Sequence, residues 1–329
     1  MNQYLDFFSS CAIVASAKTG TPFQIKKITN FYELIKEFGD ETEEYWLTSI
    51  AKILFLNNVK TIYCIAPSVG SEPTAEDFRK AFQILKYSTG FHKIICGSND
   101  PEVISSLVKS TDDYSCCPRL LFAGVPDSDD ADFQNFLDKV AAHNLILTNV
   151  KSSPATNPSL KSSVFSAAAL AAMVAKPKLP IKNLSGRLIN GIILANEFIN
   201  NQTDSVVLKN GLSVISNIDD KPAVFKVVPS KPISKEVTAD LNVNLILDLI
   251  SISVSDLINS IKKNSAFKFV SHRSLVTQVV LLLSSFKKLN LILNYEMPKI
   301  SCSSTINVTF SIKPSSLLNY PYISRTISC

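Results

Sequence analysis

Glycine and histidine are scarce in this sequence, which limits the binding and catalytic motifs that it can contain. Of its 329 residues, only nine are glycine and three are histidine. No glycines form a Gly-x-Gly-x-x-Gly or Gly-Lys-Ser phosphate loop, and neither a Gly-x-Ser-x-Gly elbow nor a His-Glu-x-x-His pair occurs. The isolated His92, His143 and His272 are predicted to be ordinary surface or boundary residues. These absences argue against a nucleotide site, a common serine hydrolase and a zinc peptidase.

The cysteines do not follow the spacing of a metal or redox site. They lie at positions 11, 64, 96, 116, 117, 302 and 329, and no pair is spaced Cys-x-x-Cys. The adjacent Cys116 and Cys117 suggest a redox pair, but only Arg119 offers a nearby positive charge to lower a thiol pKa. We therefore expect free, buried thiols in a reducing cytoplasm and no bound cofactor.

No apolar run approaches the ~18 to 20 residues of a membrane-spanning helix. Asp248 and Asp256 interrupt the most apolar late stretch. The early apolar segment Cys11–Ala17 is followed by its first positive charge, Lys18, whereas a secretion signal carries positive charge before its apolar core. The sequence therefore predicts a chain without a signal peptide.

Charge is distributed unevenly along the chain. Residues 1–220 contain 20 Lys and Arg against 23 Asp and Glu, a net charge of −3, and residues 221–329 contain 13 against 5, a net charge of +8. A basic last third suggests contact with nucleic acid or with an acidic protein surface, or simply a solvated face. Clustered arginines and interleaved aromatic residues are missing, and Lys262-Lys263 and Lys287-Lys288 are separate pairs on predicted helices. This pattern disfavours nucleic acid as a partner.

The first 150 residues alternate apolar strand patterns with amphipathic helix patterns. Asn30 is the expected N-cap of a helix whose apolar residues recur every three or four positions, and Gly39 is its expected end. The alternation predicts a mostly parallel sheet covered on both faces. At 329 residues the chain is long enough for two cores, and we divide it into an α/β domain of residues 1–220 and a C-terminal domain of residues 221–329.

The second half of the sequence has a different pattern. A loop at residues 151–161 and an alanine-rich helix at residues 164–175 precede a β-meander, in which Asn210-Gly211 is typical of a two-residue hairpin turn. Two long amphipathic helices come next, and the chain closes with two strands, at residues 304–312 and 322–327. The predicted fold class is therefore mixed α/β and α+β.

Acidic residues directly after a predicted strand form a candidate metal site. Asp127, Ser128, Asp129, Asp130 and Asp132 follow the strand of residues 120–125, and the carboxyl end of such a strand is where ligands bind in open α/β sheets. Clustered carboxylates are suitable ligands for Mg²⁺. An N-cap followed by an acidic first helical turn explains the same residues without a metal, and we favour that interpretation.

The order of these elements resembles that of contractile tail sheath proteins. An apolar strand, a Thr-Pro turn and a helix ending in Phe-Gly occur at residues 12–25 and 28–39. An alanine-rich helix (residues 164–175) and a strand, Asn-Gly, strand segment (residues 208–215) follow, and then a late helix (residues 286–293) and closing strands. Each motif is weak by itself, so the resemblance depends on their order along nearly the whole chain.

The resemblance implies a structural subunit, without catalytic or metal-binding residues, that polymerises around an inner tube and ejects it by contraction. The family also implies that terminal strands are exchanged between subunits. The expected subunit-interface residues here are Phe7, Phe8, Ile306, Val308, Phe310, Ile312, Tyr322, Ile323 and Ile327. The expected tube-facing basic residues are Lys262, Lys263, Lys287 and Lys288.

The implied partners are other copies of the chain, the inner tube protein, and baseplate and terminator proteins. Nucleic acid is not among them, and a membrane is reached only through the assembled particle. Such a subunit assembles in the bacterial cytoplasm and then becomes part of a phage tail or a tail-like particle. Alternatives are a sheath-like cap or baseplate component, since only about ten residues precede Cys11, and an α/β metal-binding enzyme that uses residues 127–132.

Overall fold

The computed structural model describes residues 2–111, 118–126, 131–175, 184–195, 211–231, 241–263, 272–302, 305–315 and 322–328. The chain divides into two compact units. The first contains residues 1–112 and 119–232, and the second contains residues 113–118 and 233–329. The mixed α/β and α+β architecture that the sequence predicts is confirmed.

The first unit is built on a twisted sheet that has six strands within the described residues, in the order β2-β3-β1-β4-β5-β6. The strands are β1 (Cys11–Val14), β2 (Lys26–Ile28), β3 (Ile62–Ile65), β4 (Lys93–Cys96), β5 (Leu120–Gly124) and β6 (Leu145–Thr148). Only β2 runs antiparallel to its neighbour, β3. Every residue of β1, β4, β5 and β6 is buried, which explains their continuous apolar sequences.

Helices connect these strands, and the caps read from the sequence are present. The helices are α1 (Asn2–Ser9), α2 (Phe31–Phe38), α3 (Leu47–Leu56), α4 (Ala75–Lys86), α5 (Pro101–Thr111) and α6 (Ala131–Val140). The side chain of Asn30 accepts a hydrogen bond from the backbone N–H of Glu33, and Gly39 ends α2 with a φ of 83°. Thr74 and Asp77 form a capping box at the start of α4.

The alanine-rich helix α7 (Ser163–Val174) is buried along its entire length. It contacts strands β4, β5 and β6, and its small side chains allow close packing. At Gly124 the approach is so close that a Cβ atom would lie 2.3 Å from the carbonyl carbon of Ser163. Glycine at the end of β5 is therefore a packing requirement for this helix.

The remaining strands of the first unit form two small antiparallel ladders. They are β7 (Ser152–Pro154) with β8 (Ile192–Leu194), and β9 (Val214–Ile218) with β10 (Lys221–Lys226). The turn between β9 and β10 is Asp219-Asp220, with φ of 48° and 60°, as a type I′ turn requires. Residues 201–210, which include Asn210 of the predicted hairpin, lie outside the described residues. Strand β7 lies inside residues 151–161, the segment that was predicted to be a loop.

The β9–β10 ladder also bears on where the first domain ends. Strand β10 pairs with β9, so it belongs to the first unit, whereas a boundary at residue 220 divides this hairpin. The net charge along the chain changes in the middle of the hairpin, because its second strand carries Lys221 and Lys226. The charge of a segment does not determine which strand it pairs with, so it did not locate the domain boundary.

The second unit contains two long helices and a small antiparallel sheet. The helices are α8 (Leu241–Lys263) and α9 (His272–Lys288), and the strands are β11 (Ile292–Tyr295), β12 (Lys299–Cys302), β13 (Ile306–Pro314) and β14 (Ile323–Ser328). Strands β11 and β12 pair with different stretches of β13, and β14 also pairs with β13. The alternating burial of β13 agrees with its alternating sequence.

Helix α8 is more deeply buried than the single apolar stripe in its sequence predicts. All residues from Val243 to Ser255 are buried, including Asp248 and three serines. Among the described helices it alone is long and apolar enough to cross a membrane, but 83% of its most apolar window is buried inside the protein. Such burial is what a core helix of a folded domain shows.

A buried ion pair connects α8 to the last strand. The guanidinium of Arg325 in β14 donates a hydrogen bond of 2.6 Å to the carboxylate of Asp248, and their side chains are only 17% and 4% exposed. A second, longer hydrogen bond of 3.4 Å joins Arg325 to the hydroxyl of Ser251. Asp248, which interrupts the apolar stretch in the sequence, thus receives a charged partner from the other end of the unit.

Replacing Arg325 with Met should destabilise the second unit by about 3–5 kcal/mol, because the carboxylate of Asp248 would stay buried without this cation. The free energy of unfolding in urea, followed by circular dichroism, measures the effect. The double variant Arg325→Met/Asp248→Leu should recover most of the loss, since an apolar pair of similar volume removes the buried charge as well. Equal stability of the parent and the single variant would contradict this role.

Candidate interaction surfaces

The terminal strands that the sequence assigns to a subunit interface pair with each other in one chain. The side chains of Ile306, Val308, Phe310 and Ile312 in β13, and of Ile323 and Ile327 in β14, are all at most 5% exposed. The register joins Val308 to Ile327 and Ile312 to Ile323, so the structure brings these residues together on one covered face. Deletion of residues 320–329, which include β14, would therefore remove part of the chain's own core. Pairing between copies stays a prediction.

The opposite face of this sheet is polar and exposed. Hydroxyl pairs connect Thr309 with Thr326 and Ser311 with Ser324, each at 2.8 Å across the β13–β14 ladder. Strand β14 has β13 as its one neighbour within the described residues. Its other edge therefore presents backbone N–H and C=O groups that no described strand pairs.

Tyr322 lies directly before this edge strand and is 39% exposed. Its hydroxyl oxygen accepts a hydrogen bond of 2.8 Å from the side-chain amide of Asn294, which in turn accepts one from the ammonium of Lys287. These two hydrogen bonds thus link the end of α9, through Asn294, to the start of β14.

The N-terminal residues Phe7 and Phe8 contact their own chain. They lie in α1, a helix that the sequence analysis did not predict. Phe8 is 2% exposed, and the centre of its ring lies 4.5 Å from that of the His92 imidazole. The buried ammonium of Lys93 donates a hydrogen bond to the carbonyl oxygen of Phe8, and the guanidinium of Arg119 lies over the ring of Phe7. The segment before β1 is thus anchored to the first unit.

The expected tube-facing lysines lie at the C-terminal ends of the two long helices. Lys262 and Lys263 occupy the last turn of α8, Lys287 and Lys288 that of α9, and all four side chains are exposed. Cations in this position are stabilised by the helix dipole, so their placement alone does not imply a partner. Within each helix the two lysines are adjacent in sequence.

The other candidate sites have different outcomes. The prediction that His92 is a surface or boundary residue is wrong, because it is fully buried against Phe8, directly before the first residue of β4. Asp127, Ser128, Asp129 and Asp130 lie outside the described residues, as do Cys116 and Cys117. Among the residues that the structure describes, no group of three or more His, Cys, Asp or Glu could hold a metal ion.

The first unit contains a crevice of about 500 Å³ that the sequence analysis did not predict. Ser16 after β1 and Gly97, Ser98 and Asn99 after β4 form one side, and the segment from Glu43 to Trp46 forms another. Only the strand order, which places β4 beside β1 rather than beside β3, brings these segments together. A sequence pattern does not contain that information.

Comparison with known proteins gives matches in structure but none in sequence. No protein-family model and no curated protein matches the sequence. The sheath tail protein of Listeria innocua superposes with a TM-score of 0.75 at 12% identity, over 99% of each chain. The sheath tail protein of Desulfitobacterium hafniense gives 0.72 at 9% identity, over 99% of this chain and 97% of that chain.

An assembled particle also provides a match. The helical sheath of the anti-feeding prophage in its contracted state gives a TM-score of 0.64 at 12% identity, over 97% of this chain and 88% of that chain. The chain therefore has the fold of contractile sheath proteins, and the resemblance read from its sequence is confirmed at the level of fold.

The buried thiols should resist modification in the folded protein. Burial raises the pKa of Cys11 and Cys96 to about 12, and that of Cys64 well above its usual value. At pH 8 a maleimide should label these three only after unfolding, which peptide mass spectrometry measures. Unfolded thiols ionise first, so the free energy of unfolding should also fall as pH rises from about 9 towards 12. Rapid labelling of native Cys64 would contradict the burial.

Proposed function

We propose that this chain is a structural subunit of a contractile sheath, which polymerises around an inner tube and drives its ejection. The observation that carries the proposal is the extent of the fold match, which covers 97–99% of this chain in the three sheath structures. A doubly wound sheet alone would match many unrelated proteins. A match that continues through the second unit supports a specific architecture, and the role assigned is structural rather than catalytic.

The open edge of β14 is the contact through which we infer that copies are joined. An unpaired edge recruits another strand by backbone hydrogen bonds, and alternate side chains then set the register. Because Ile323 and Ile327 already fill the chain's own core, an incoming strand would add outside β14 without displacing it. In this arrangement Ile306, Val308, Phe310 and Ile312 support the interface from beneath, and Tyr322 lies at its rim.

The N-terminal segment has a smaller part in this proposal. The contacts of Phe7 and Phe8 with His92, Lys93 and Arg119 hold α1 on its own chain. A role for these two residues between copies would require α1 to detach first. We therefore assign the junction between copies to the sheet of the second unit.

Electron microscopy of the purified protein tests the proposal. Negative staining should show rings or tubes whose abundance rises with protein concentration, and addition of the tube partner should lengthen them. Rings that never extend into tubes would instead indicate a cap or baseplate component. A protein that remains monomeric at high concentration, with and without the tube partner, would contradict a sheath function.

Amide hydrogen exchange tests the inferred junction directly. In an edge strand alternate amides face solvent, so about half of the amides of residues 323–328 should exchange rapidly in the unassembled protein. On assembly those amides should become protected, as measured by residue-level mass spectrometry. The central strand β13, paired on both sides, serves as the control because its exchange should change little. Unchanged exchange of β14 in assembled particles would exclude this edge as the junction.

The exposed lysine pairs are proposed to face an acidic tube surface. Reversing Lys262, Lys263, Lys287 and Lys288 to Glu should weaken tube binding more than it weakens self-assembly, and the difference should shrink at high salt. Co-sedimentation with the tube measures binding. The matched control reverses four exposed lysines of the first unit, at positions 18, 60, 109 and 161. Equal loss of binding and assembly would place the four lysines in contacts between copies.

The reversal also has a structural cost that the experiment must separate. Acidic residues at a helix C-terminus oppose the dipole by about 0.3–1 kcal/mol each. The thermal melting curve of the unassembled variant measures this cost. Weaker tube binding at a temperature where the melting curve shows the variant to be fully folded supports the proposed contact.

A further inference from the structure

A small cavity lies between α3 and the β7–β8 ladder of the first unit, and its volume is about 20 Å³. Glu41 lines it from the segment before α3, and Ser49 and Lys52 line it from α3 itself. On the other side it is lined by Pro154 at the end of β7 and by Gly191 directly before β8. A cavity needs about 10–15 Å³ to hold a water molecule, so this one has room for a single small group.

The hydroxyl of Ser49 is the first polar group on the wall that needs a partner. Ser49 is only 1% exposed, and its hydroxyl oxygen forms no hydrogen bond within the described residues. Buried serines in helices commonly donate to the carbonyl of the preceding turn, as Ser251 and Ser253 in α8 do at 2.7 and 2.8 Å. Since Ser49 lacks this bond, its hydroxyl is left for a group inside the cavity that it lines.

The carboxylate of Glu41 supplies a second such atom. The ammonium of Lys52 donates a hydrogen bond of 3.3 Å to Oε2 of Glu41. Its nitrogen also lies 3.2 Å from Oε1, but Oε1 is buried and accepts no hydrogen bond from any residue that the structure describes. Buried polar atoms normally have a partner, so two of them on residues that line one cavity indicate a common hydrogen-bonding group.

The size of the cavity and the charges on its wall select the kind of group. The ammonium of Lys52 next to the carboxylate disfavours a metal cation, and the carboxylate of Glu41 disfavours an anion. A side chain or an organic ligand does not fit into about 20 Å³. Water fits, and it can donate a hydrogen bond to the carboxylate while it forms a second one with the hydroxyl of Ser49.

The wall that the ladder contributes is fixed to α3. The side-chain amide of Asn57, directly after α3, donates a hydrogen bond of 2.8 Å to the carbonyl oxygen of Asn190, and its oxygen accepts one of 3.0 Å from the backbone N–H of Asn190. Gly191 follows with a φ of 83°, and a Cβ atom there would lie 2.7 Å from Cδ1 of Leu56. This close approach of the backbone to α3 sets the small size of the cavity.

We propose that this cavity is the binding site of one ordered water molecule, which bridges the carboxylate of Glu41 and the hydroxyl of Ser49. The water joins the segment before α3 to α3 itself, and it completes the hydrogen bonding of the Glu41–Lys52 ion pair. The site belongs to the first unit of a single copy, so it does not depend on the sheath function proposed above.

Replacing Ser49 with Ala tests the bridge in the unassembled protein. Loss of the hydroxyl would leave the buried water and Glu41 without a partner, so the equilibrium constant for unfolding should rise about tenfold. Urea denaturation followed by circular dichroism measures it. The matched variant Ser105→Ala removes an exposed helical hydroxyl that donates to the carbonyl of Pro101, and should change the constant less than about threefold.

A hydroxyl without any partner gives the opposite result, because removing an unsatisfied buried polar group stabilises a protein. A rise for Ser49→Ala that is no larger than that of Ser105→Ala would therefore overturn the proposal.

A high-resolution crystal structure of the unassembled protein locates the water directly. One peak of density should lie within about 2.7–3.2 Å of both Oγ of Ser49 and Oε1 of Glu41. In the variant Ser49→Val the additional methyl groups should displace this peak. A cavity without density in the parent protein, or density bonded to only one of the two oxygen atoms, would overturn the bridge.

Discussion

The need of an outermost β-strand for backbone partners is the constraint on which the second unit depends. Strand β14 satisfies half of its hydrogen-bonding groups with β13 and presents the other half at an edge. Its inward side chains and the Arg325–Asp248 ion pair fix the strand firmly to its own chain. The edge is therefore held in a defined position, and under the proposed junction an incoming strand would meet a preformed template.

In this arrangement the stability of one copy would not depend on its association with other copies. An edge that is already part of a packed sheet can gain a further strand without loss of its own core contacts. A strand that had to leave its chain would expose Ile323 and Ile327 and leave Asp248 buried without Arg325. The cost of that exposure is the physical reason for preferring addition at the edge over exchange of β14.

The sequence predicted those parts of the structure that depend on local chemistry. The caps at Asn30 and Gly39 and the alternation of β13 are each set by a few neighbouring residues. Long-range features were not accessible: the sequence predicted a β-meander in this region, but not the pairing that places β10 in the first unit. The crevice depends on strand order, and the ion pair that fixes β14 to α8 joins Arg325 to a residue 77 positions earlier in the chain.

The candidate sites show the same contrast between local properties, which the sequence predicts, and long-range contacts, which it does not. The lysine pairs are exposed as expected, since charge at the end of an amphipathic helix is a local property. His92 was misplaced because nothing in its neighbourhood in sequence indicates that Phe8 covers it. The subunit-interface residues were recognised as a half-buried pattern, yet a pattern of burial does not state whether the covering surface belongs to the same chain or to another.

The buried helix α8 has a consequence for how the protein is made. A 23-residue apolar segment leaves the ribosome well before the strand that carries the cation for Asp248, because Arg325 is 77 residues further along. At about 5–20 residues per second, that interval lasts roughly 4–15 seconds. Throughout it, Asp248 in α8 is without the cation that pairs with it in the folded protein. The ion pair that joins α8 to β14 can therefore form only after Arg325 has been synthesised, long after α8 itself.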